Sequence, residues 1–325
     1  MKAWLCERFA DPFELIQNDI AIPEPQAGEV RIRVCAAGLA FGETLILEGG
    51  YQKLPSLPYI PSSEMSGIVD VCGPGLTRLK PGDRVAAFSV SLGGGGLAEY
   101  CVLPKQFVHP IADDIDLVDA AGFLMNHWTA FTGLMRRAEL GQGETLVVFG
   151  ATGGVGCAAI DVGKALGARV IAVGSNVDYL TELGADFAID YREASVFKQV
   201  RELTDGHGAD VYFDPVGGDM VDQAMKAIAP GGRILVVGFT SGKPATVRTN
   251  VALVKMISVI GVEGRLAIEK MGDQGWRDFG TMLEWAGKGR IRPQRTTRYP
   301  FDQTVQAFRD LRSRNVRGKC VVEIG

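Results

Sequence analysis

The sequence has no apolar run that reaches the roughly 20 residues a membrane helix needs. Met1-Lys-Ala-Trp-Leu-Cys-Glu-Arg-Phe9 breaks a brief apolar patch with charge, so no secretory core is read there and the cytosol is the expected compartment. Cysteine pairs are also missing. Cys6, Cys35, Cys72, Cys101, Cys157 and Cys320 are dispersed, with no C-x-x-C, which reads as small buried hydrophobes in a reducing compartment rather than as disulfides. Histidine is scarce: His109, His127 and His207 stand far apart. Neither sign of charge dominates. Thirty-four basic against thirty-eight acidic residues leave a net charge of -4 and no basic run, so neither a nucleic acid nor a membrane is an expected partner.

What is present suits a globular chain. At 325 residues, 46% hydrophobic and 22% charged, it can build two domains with proper cores. Residues 1–122 are β-rich. Glu29 to Cys35 alternates with a period of two, Gly67 to Cys72 and Glu99 to Leu103 are further strands, and Lys80-Pro-Gly-Asp-Arg84 turns into the strand Val85 to Phe88. Gly93 to Gly96 is a four-glycine tip that needs support to hold one conformation.

From Val118 to Ala138 the periodicity is helical, with Asp116 or Asp119 as the cap. Strands and helices then alternate. Strands are expected at Leu146–Phe149, Arg169–Val173, Phe187–Ile189, Val211–Asp214, Arg233–Val237 and Ile257–Val262, with helices between them, one running from Ala194 to Thr204. Six strands with helical crossovers make a doubly wound parallel sheet, so the fold class is α/β: a six-stranded Rossmann domain over 123–262. Residues 263–325, with helices over 275–287 and 301–314 and a last strand Lys319–Glu323, are expected to return to the β-rich domain.

The stretch that organises the chain is Thr145-Leu-Val-Val-Phe-Gly-Ala-Thr-Gly-Gly-Val-Gly156, a buried strand running into a glycine-dense turn and then a helix. Glycines there let backbone N–H groups approach a pyrophosphate, whose charge is favoured at a helix N-terminus. Gly153 and Gly156 fill the second and third places of G-x-G-x-x-G, while Ala151 stands at the first. The ribose-reading strand ends Val173-Gly174-Ser175-Asn176 and has no acid at Gly174. An acid there would accept from the 2′-hydroxyl of NAD and repel a 2′-phosphate, so its absence favours NADP, with NADH left open. No Lys or Arg stands beside Ser175. Asp178 is read as a helix cap.

Five segments together resemble the zinc-independent NADPH:quinone oxidoreductases of the medium-chain dehydrogenase/reductase superfamily. They are Lys80 to Val85, Gly150 to Gly156, Leu183 to Asp186 with Ile189 to Tyr191, Asp214-Pro-Val-Gly-Gly218, and Gly231 to Arg233 with Gly238-Phe239. The resemblance spans essentially the whole chain. It implies a β-rich, GroES-like catalytic domain interrupted by the Rossmann domain, NADPH as cofactor, and no zinc. Where zinc-dependent relatives place a histidine before the glutamate that is here Glu64, this chain has Ser63, and between Val90 and Val108 it has only Cys101.

The resemblance also implies site residues. Thr129 would lie near the nicotinamide; Gly153, Gly154 and Val155 under the pyrophosphate; Ser175, Asn176 and Tyr191 near the adenosine phosphate; and Gly238, Phe239 and Thr240 at the carboxyl edge of the fifth strand. Arg314 matches an arginine that reaches the 2′-phosphate, with Arg192 in reserve. Where the family reads Asn-Phe-x-Asp, this chain reads Ala40-Phe41-Gly42-Glu43, so Glu43 takes the aspartate's place, Phe41 shapes the slot, and Tyr51 stands beside the substrate.

A quinone or enone that accepts hydride is left as an oxyanion or enolate, and a tyrosine hydroxyl such as that of Tyr51 is an adequate proton donor. His127 has no obvious carboxylate partner in sequence and reads as packing or cap. The activity expected is hydride transfer to a quinone or an α,β-unsaturated carbonyl. An enoyl-thioester (CoA or ACP) reductase is the alternative within the class, and an NADPH-binding structural or RNA-binding protein the alternative outside it. The apolar edge strand Ile257–Val262 is expected to be covered by self-association, in a homodimer or a dimer of dimers.

Overall fold

The computed structural model describes residues 1–11, 13–51, 53–89, 93–193, 195–293 and 296–325, without the side chains of Arg265 and Glu269. The chain forms two compact units, residues 1–125 with 293–325, and residues 126–292.

The first unit opens with β1 (Lys2–Leu5), β2 (Ile16–Asp19) and the long β3 (Glu29–Leu39), followed by the short helix α1 (Phe41–Leu47). Then come β4 (Glu64–Cys72), β5 (Arg84–Phe88), β6 (Tyr100–Pro104) and β7 (Val108–Pro110). The expected alternation in β3 is present: Val30, Ile32 and Val34 point into a core shared with Met65, Val69, Val85 and Leu103. Beyond Val34 the strand is buried on both faces, because Ala36 packs under Ala121 and Val321 while Ala37 and Leu39 enter a second core around Phe308.

The helical stretch expected over 118–138 is broken into pieces. Helix α2 (Leu117–Ala120) is capped by Asp116, whose Oδ1 accepts from the N–H groups of Val118 and Asp119 at 2.9 and 3.1 Å. Helix α3 (Leu124–Phe131) follows and leads into a π-turn over Thr132–Arg137. The glycine tip has its support: Gly95 and Gly96 donate to the carbonyls of Ile60 and Ser62, each at 2.9 Å.

The second unit alternates as expected. Its strands are β8 (Thr145–Val148), β9 (Arg169–Gly174), β10 (Phe187–Asp190), β11 (Ala209–Asp214), β12 (Ile228–Val236) and β13 (Ser258–Gly261). They lie in the order β10-β9-β8-β11-β12-β13, all parallel. Between them run α4 (Gly154–Ala165), α5 (Val177–Glu182), α6 (Val196–Leu203), α7 (Asp219–Ala227) and α8 (Thr249–Lys255). Ala194, the expected first residue of the third of these helices, lies outside the described residues. Leu146, Val147 and Val148 are all fully buried, the pattern of a central parallel strand covered on both faces.

The boundary at 262 requires correction. Helices α9 (Gly264–Met271) and α10 (Asp273–Gly287) belong to the Rossmann unit, which runs to Arg292. The physical reason is the inner face of α10. Phe279 meets Trp128 edge-on at 5.4 Å, Trp285 meets Phe131 at 5.2 Å, and the buried Asp278 takes both arms of Arg136. The first unit resumes only with β14 (Thr296–Pro300), α11 (Thr304–Arg312) and β15 (Lys319–Glu323). The last strand lies in this unit and pairs antiparallel with β3, placing Cys320 opposite Leu39.

Candidate functional site

The turn after β8 lies where the strand order reverses, between β8 and β11, the place where open α/β sheets bind ligands. Ala151 donates to the carbonyl of Val173 at 3.0 Å and Gly153 to that of Gly150 at 3.0 Å, closing the turn. A Cβ on Gly156 would lie 2.4 Å from the carbonyl oxygen of Gly150, so the third glycine is required for helix to meet strand. Gly153 precedes α4 in extended conformation with only ordinary contacts around its missing Cβ. Among the described residues no acceptor takes the N–H of Gly154, Val155 or Gly156. Three open donors at the N-terminus of a twelve-residue helix fit a pyrophosphate.

The adenosine end is built by β9 and β10. Gly174 is buried against Thr152 and Leu180, which leaves no room for an acid: a Cβ would approach their side chains to 2.9 and 3.1 Å. Asn176, not Asp178, caps α5; its Oδ1 accepts from the N–H of Tyr179 at 3.0 Å. Cap geometry decides this, since Asn176 is the last extended residue and Asp178 already lies in the first turn. Tyr191 is 46% exposed. Arg192 grips Asp190, bringing that carboxyl's pKa down to about 2, and also donates to the carbonyl of Ser175 at 2.7 Å.

Across the switch point, Gly238, Phe239 and Thr240 form a turn in which Thr240 donates to the carbonyl of Pro215 at 3.0 Å. Phe239 presents 39% of its surface. Thr129 stands half-buried on α3 beside Gly264, whose missing Cβ would come within 2.9 Å of its hydroxyl. His127, on the same helix, does have a carboxylate partner. Its Nε2 lies 3.1 Å from Asp161 on α4, and Asp161 also accepts from the N–H of Arg292 at 2.9 Å. The pair is 34 residues apart in sequence, which is why it was not legible there.

The β-rich unit holds the remaining candidates. Tyr51 lies half-buried against Gly42, with a ring carbon 3.4 Å from where a Cβ would stand, and Phe41 is half-buried at the start of α1. Glu43 is only 4% exposed. One of its oxygens accepts from the N–H of Ser63 at 2.7 Å and the other from Ala40 at 3.2 Å, so it fixes the two backbone segments that flank α1. Burial pushes its pKa above the usual carboxylate range, against the pull of Ala40, Lys319 and Ser63. Sequence reasoning missed the neighbouring pair: Lys319 on β15 donates to Glu64 at the start of β4 at 2.8 Å. Arg314 is exposed, in the left-handed conformation (φ 61), just past Ser313, the C-cap of α11.

The profile of the alcohol dehydrogenase GroES-like domain matches residues 26–113, and that of zinc-binding dehydrogenases matches residues 154–286. The quinone oxidoreductase-like protein 2 homolog of Nematostella vectensis is 34% identical over 326 residues, 99% of this chain and 88% of its own. The quinone oxidoreductase of Rattus norvegicus is 30% identical, with 99% and 97% covered. The chain belongs to the quinone oxidoreductase family of the medium-chain dehydrogenase/reductase superfamily. It is accordingly an NAD(P)H-dependent oxidoreductase. Among solved structures, the quinone oxidoreductase of Thermus thermophilus, also determined as a complex with NADPH, superposes with a TM-score of 0.85 at 29% identity over 100% of both chains. One of the matching profiles names zinc; among the described residues no group of three or more His, Cys, Asp or Glu is placed to hold a metal ion. No helix among them is long and apolar enough to cross a membrane.

Proposed function

We propose that this protein is a zinc-free, cytoplasmic, NADPH-dependent reductase that passes hydride to a quinone or an α,β-unsaturated carbonyl. The observation that carries the cofactor half is the trio of open N–H groups on Gly154, Val155 and Gly156 at the switch point of the sheet. The buried Gly174, with no space for an acid, supports NADPH over NADH. The acceptor class is supported by the quinone oxidoreductase names of the relatives.

In this reading Gly153 lets the pyrophosphate approach α4, while Ser175, Asn176 and Tyr191 face the adenosine phosphate. The cap uses only the Oδ1 of Asn176, so its Nδ2 amide is left to face the phosphate. Arg314 is assigned to the 2′-phosphate by resemblance. Thr129, Gly238, Phe239 and Thr240 border the nicotinamide. Bound NADPH supplies the hydride. Tyr51 then donates a proton to the oxyanion or enolate that hydride addition leaves, and water restores the tyrosine. Phe41 shapes the slot. Glu43 is a positioning residue that holds Ala40 and Ser63 in place.

The test is cofactor oxidation across a panel of quinones, enones and enoyl-CoA thioesters, run with NADPH and with NADH. Turnover of quinones or enones with NADPH is expected, falling about 100-fold or more in Tyr51→Phe with the KM for NADPH unchanged. Activity confined to thioesters would make the protein an enoyl-thioester reductase. Cofactor binding without turnover on any acceptor would make it a binding protein.

A further inference from the structure

Asp214 ends β11, one of the two strands that flank the switch point, and is 0% exposed. Its Oδ1 accepts from the N–H groups of Val216 and Gly217, each at 2.9 Å, which closes the start of Asp214-Pro-Val-Gly-Gly218 into a tight turn. Among the described residues nothing pairs with Oδ2. Burial pushes the pKa of this carboxyl up, against the pull of the Gly217 and Val216 N–H groups. A buried carboxyl bonded on one oxygen costs less neutral than charged, so what the loop draws on is the Oδ1 acceptor. The turn that follows β12 hangs on this loop. Thr240 donates to the carbonyl of Pro215, Ser241 to that of Val216, and Gly218 to that of Lys243, each at 3.0 Å. The ring of Phe239 lies against Gly217, where a Cβ would come within 2.8 Å of its Cδ1. The turn after β8, by contrast, closes on itself and on β9 through Gly153 and Ala151.

We infer that Asp214 is a positioning residue for hydride transfer: through the 215–218 loop it fixes the Gly238–Thr240 turn against which the nicotinamide lies. The inference rests on the NADPH reading, in which that turn borders the nicotinamide. Asp214 acts through the loop, because its own side chain is fully buried. Without the Oδ1 acceptor the N–H groups of Val216 and Gly217 lose their partner, and the loop loses the bonds that set its path. The carbonyls of Pro215 and Val216 then shift, and Thr240 and Ser241 shift with them. Hydride transfer is sensitive to such a shift, since a misplacement of about 1 Å can slow a reaction roughly 100-fold. The half of the cofactor held by the turn after β8 is spared, because that turn has its own closing bonds. Asp214 therefore governs where the ring sits and leaves the grip on the phosphates alone.

The probes are NADPH and 2′-phospho-ADP-ribose, which is NADPH without its nicotinamide, titrated calorimetrically into the full chain. Wild type is compared with Asp214→Ala, Asp214→Asn and Gly217→Ala, and kcat is measured with the acceptor that wild type turns over fastest. In Asp214→Ala the fragment should bind within about twofold of wild type, while NADPH affinity and kcat each fall about tenfold or more. Asp214→Asn keeps the neutral acceptor and should return both to within about threefold of wild type. Gly217→Ala pushes on Phe239 without touching the carboxyl and should repeat the Asp214→Ala pattern, which keeps the test open if Asp214→Ala does not fold. Equal losses of fragment and NADPH in folded Asp214→Ala would make Asp214 a purely structural residue and overturn the inference. Wild-type values in Asp214→Ala or Gly217→Ala, or no recovery in Asp214→Asn, overturn it as well. If wild type binds the fragment as tightly as NADPH, the turn contributes nothing and the inference fails with the dinucleotide site standing. If wild type binds neither, the NADPH reading fails along with it.

Discussion

Lys319 Nζ lies 2.8 Å from Glu64 Oε2, and the two side chains are 5% and 3% exposed. The lysine reaches the glutamate past two glycines: a Cβ on Gly122 would stand 2.5 Å from its Cγ, and one on Gly38 3.0 Å from its Cε. Glu64 Oε1 meanwhile accepts from the N–H of Met125 at 3.0 Å, so the carboxylate ties β4, β15 and the start of α3 together. Lys319→Met would leave that carboxylate buried without its counter-ion and should cost about 3–5 kcal/mol. Lys319→Met/Glu64→Gln should recover part of the loss. Urea unfolding of the four members of the cycle measures both; additive losses would mean the two side chains do not interact.

The ion pair could not be read from the sequence, because Lys319 and Glu64 are 255 residues apart. The pattern that was legible is local. Leu146 to Phe149 followed by glycines announces a buried strand entering a helix, and that element carries the switch point. Where burial depends on a distant partner, the reading fails. Helix α10 looks like an ordinary amphipathic helix; only contact of Phe279 and Trp285 with Trp128 and Phe131 assigns it to the Rossmann unit. Strand β14, Thr-Thr-Arg-Tyr-Pro, has no apolar alternation and exists through its pairing with β15. Glu43 matched an active-site position by resemblance; that its carboxylate is buried and accepts from the N–H groups of Ser63 and Ala40 was not legible there.

Gly153 and Gly156 should respond to alanine in opposite ways. A Cβ on Gly156 meets backbone atoms of Gly150 and Ala151 at 2.4 and 2.8 Å, which cannot move without opening the β8–α4 turn. Gly156→Ala should therefore lower the melting temperature markedly. Gly153 has a φ of -87° and a nearest neighbour at 3.4 Å, so Gly153→Ala should fold normally. Its methyl group would stand where the pyrophosphate approaches, and NADPH affinity should drop about tenfold, or ~1.4 kcal/mol. Thermal melts beside cofactor titration separate the two effects; normal NADPH binding by Gly153→Ala would misplace the phosphate.

Acid should weaken the β-rich unit through His109. The ring is 5% exposed and stacks on Phe88 at 6.1 Å. Burial, with the Arg78 charge second, pushes its pKa down to about 4 from an ordinary 6.5. Between those values the unfolded chain binds a proton that the folded chain refuses, so stability is full above pH 6.5 and is lost as pH falls toward 4. The loss from this one group is about 3 kcal/mol. Guanidinium unfolding of wild type and His109→Leu at pH 7, 5.5 and 4 should show the variant with the shallower slope. Parallel slopes would show that the histidine is not held neutral.

The outer face of α8 and the neighbouring edge strand should hold a second copy of the chain. Leu253, Val254 and Met256 are 78%, 82% and 80% exposed, and Val259 on β13 is 41% exposed. They are held in that position. Lys255 anchors α8 by donating to the carbonyl of Ile228 at 2.8 Å, and Met256 turns the chain in the left-handed conformation (φ 54) before β13 begins. Among the described residues β12 is the strand that β13 pairs with, so β13 ends the sheet. A second copy packed on these side chains and paired along β13 across a two-fold axis would cover both liabilities at once. Sedimentation velocity at micromolar concentration should give a dimer or a dimer of dimers, with Leu253→Glu/Val254→Glu shifting it to a folded monomer. A wild-type monomer under those conditions would mean that this face is left to solvent.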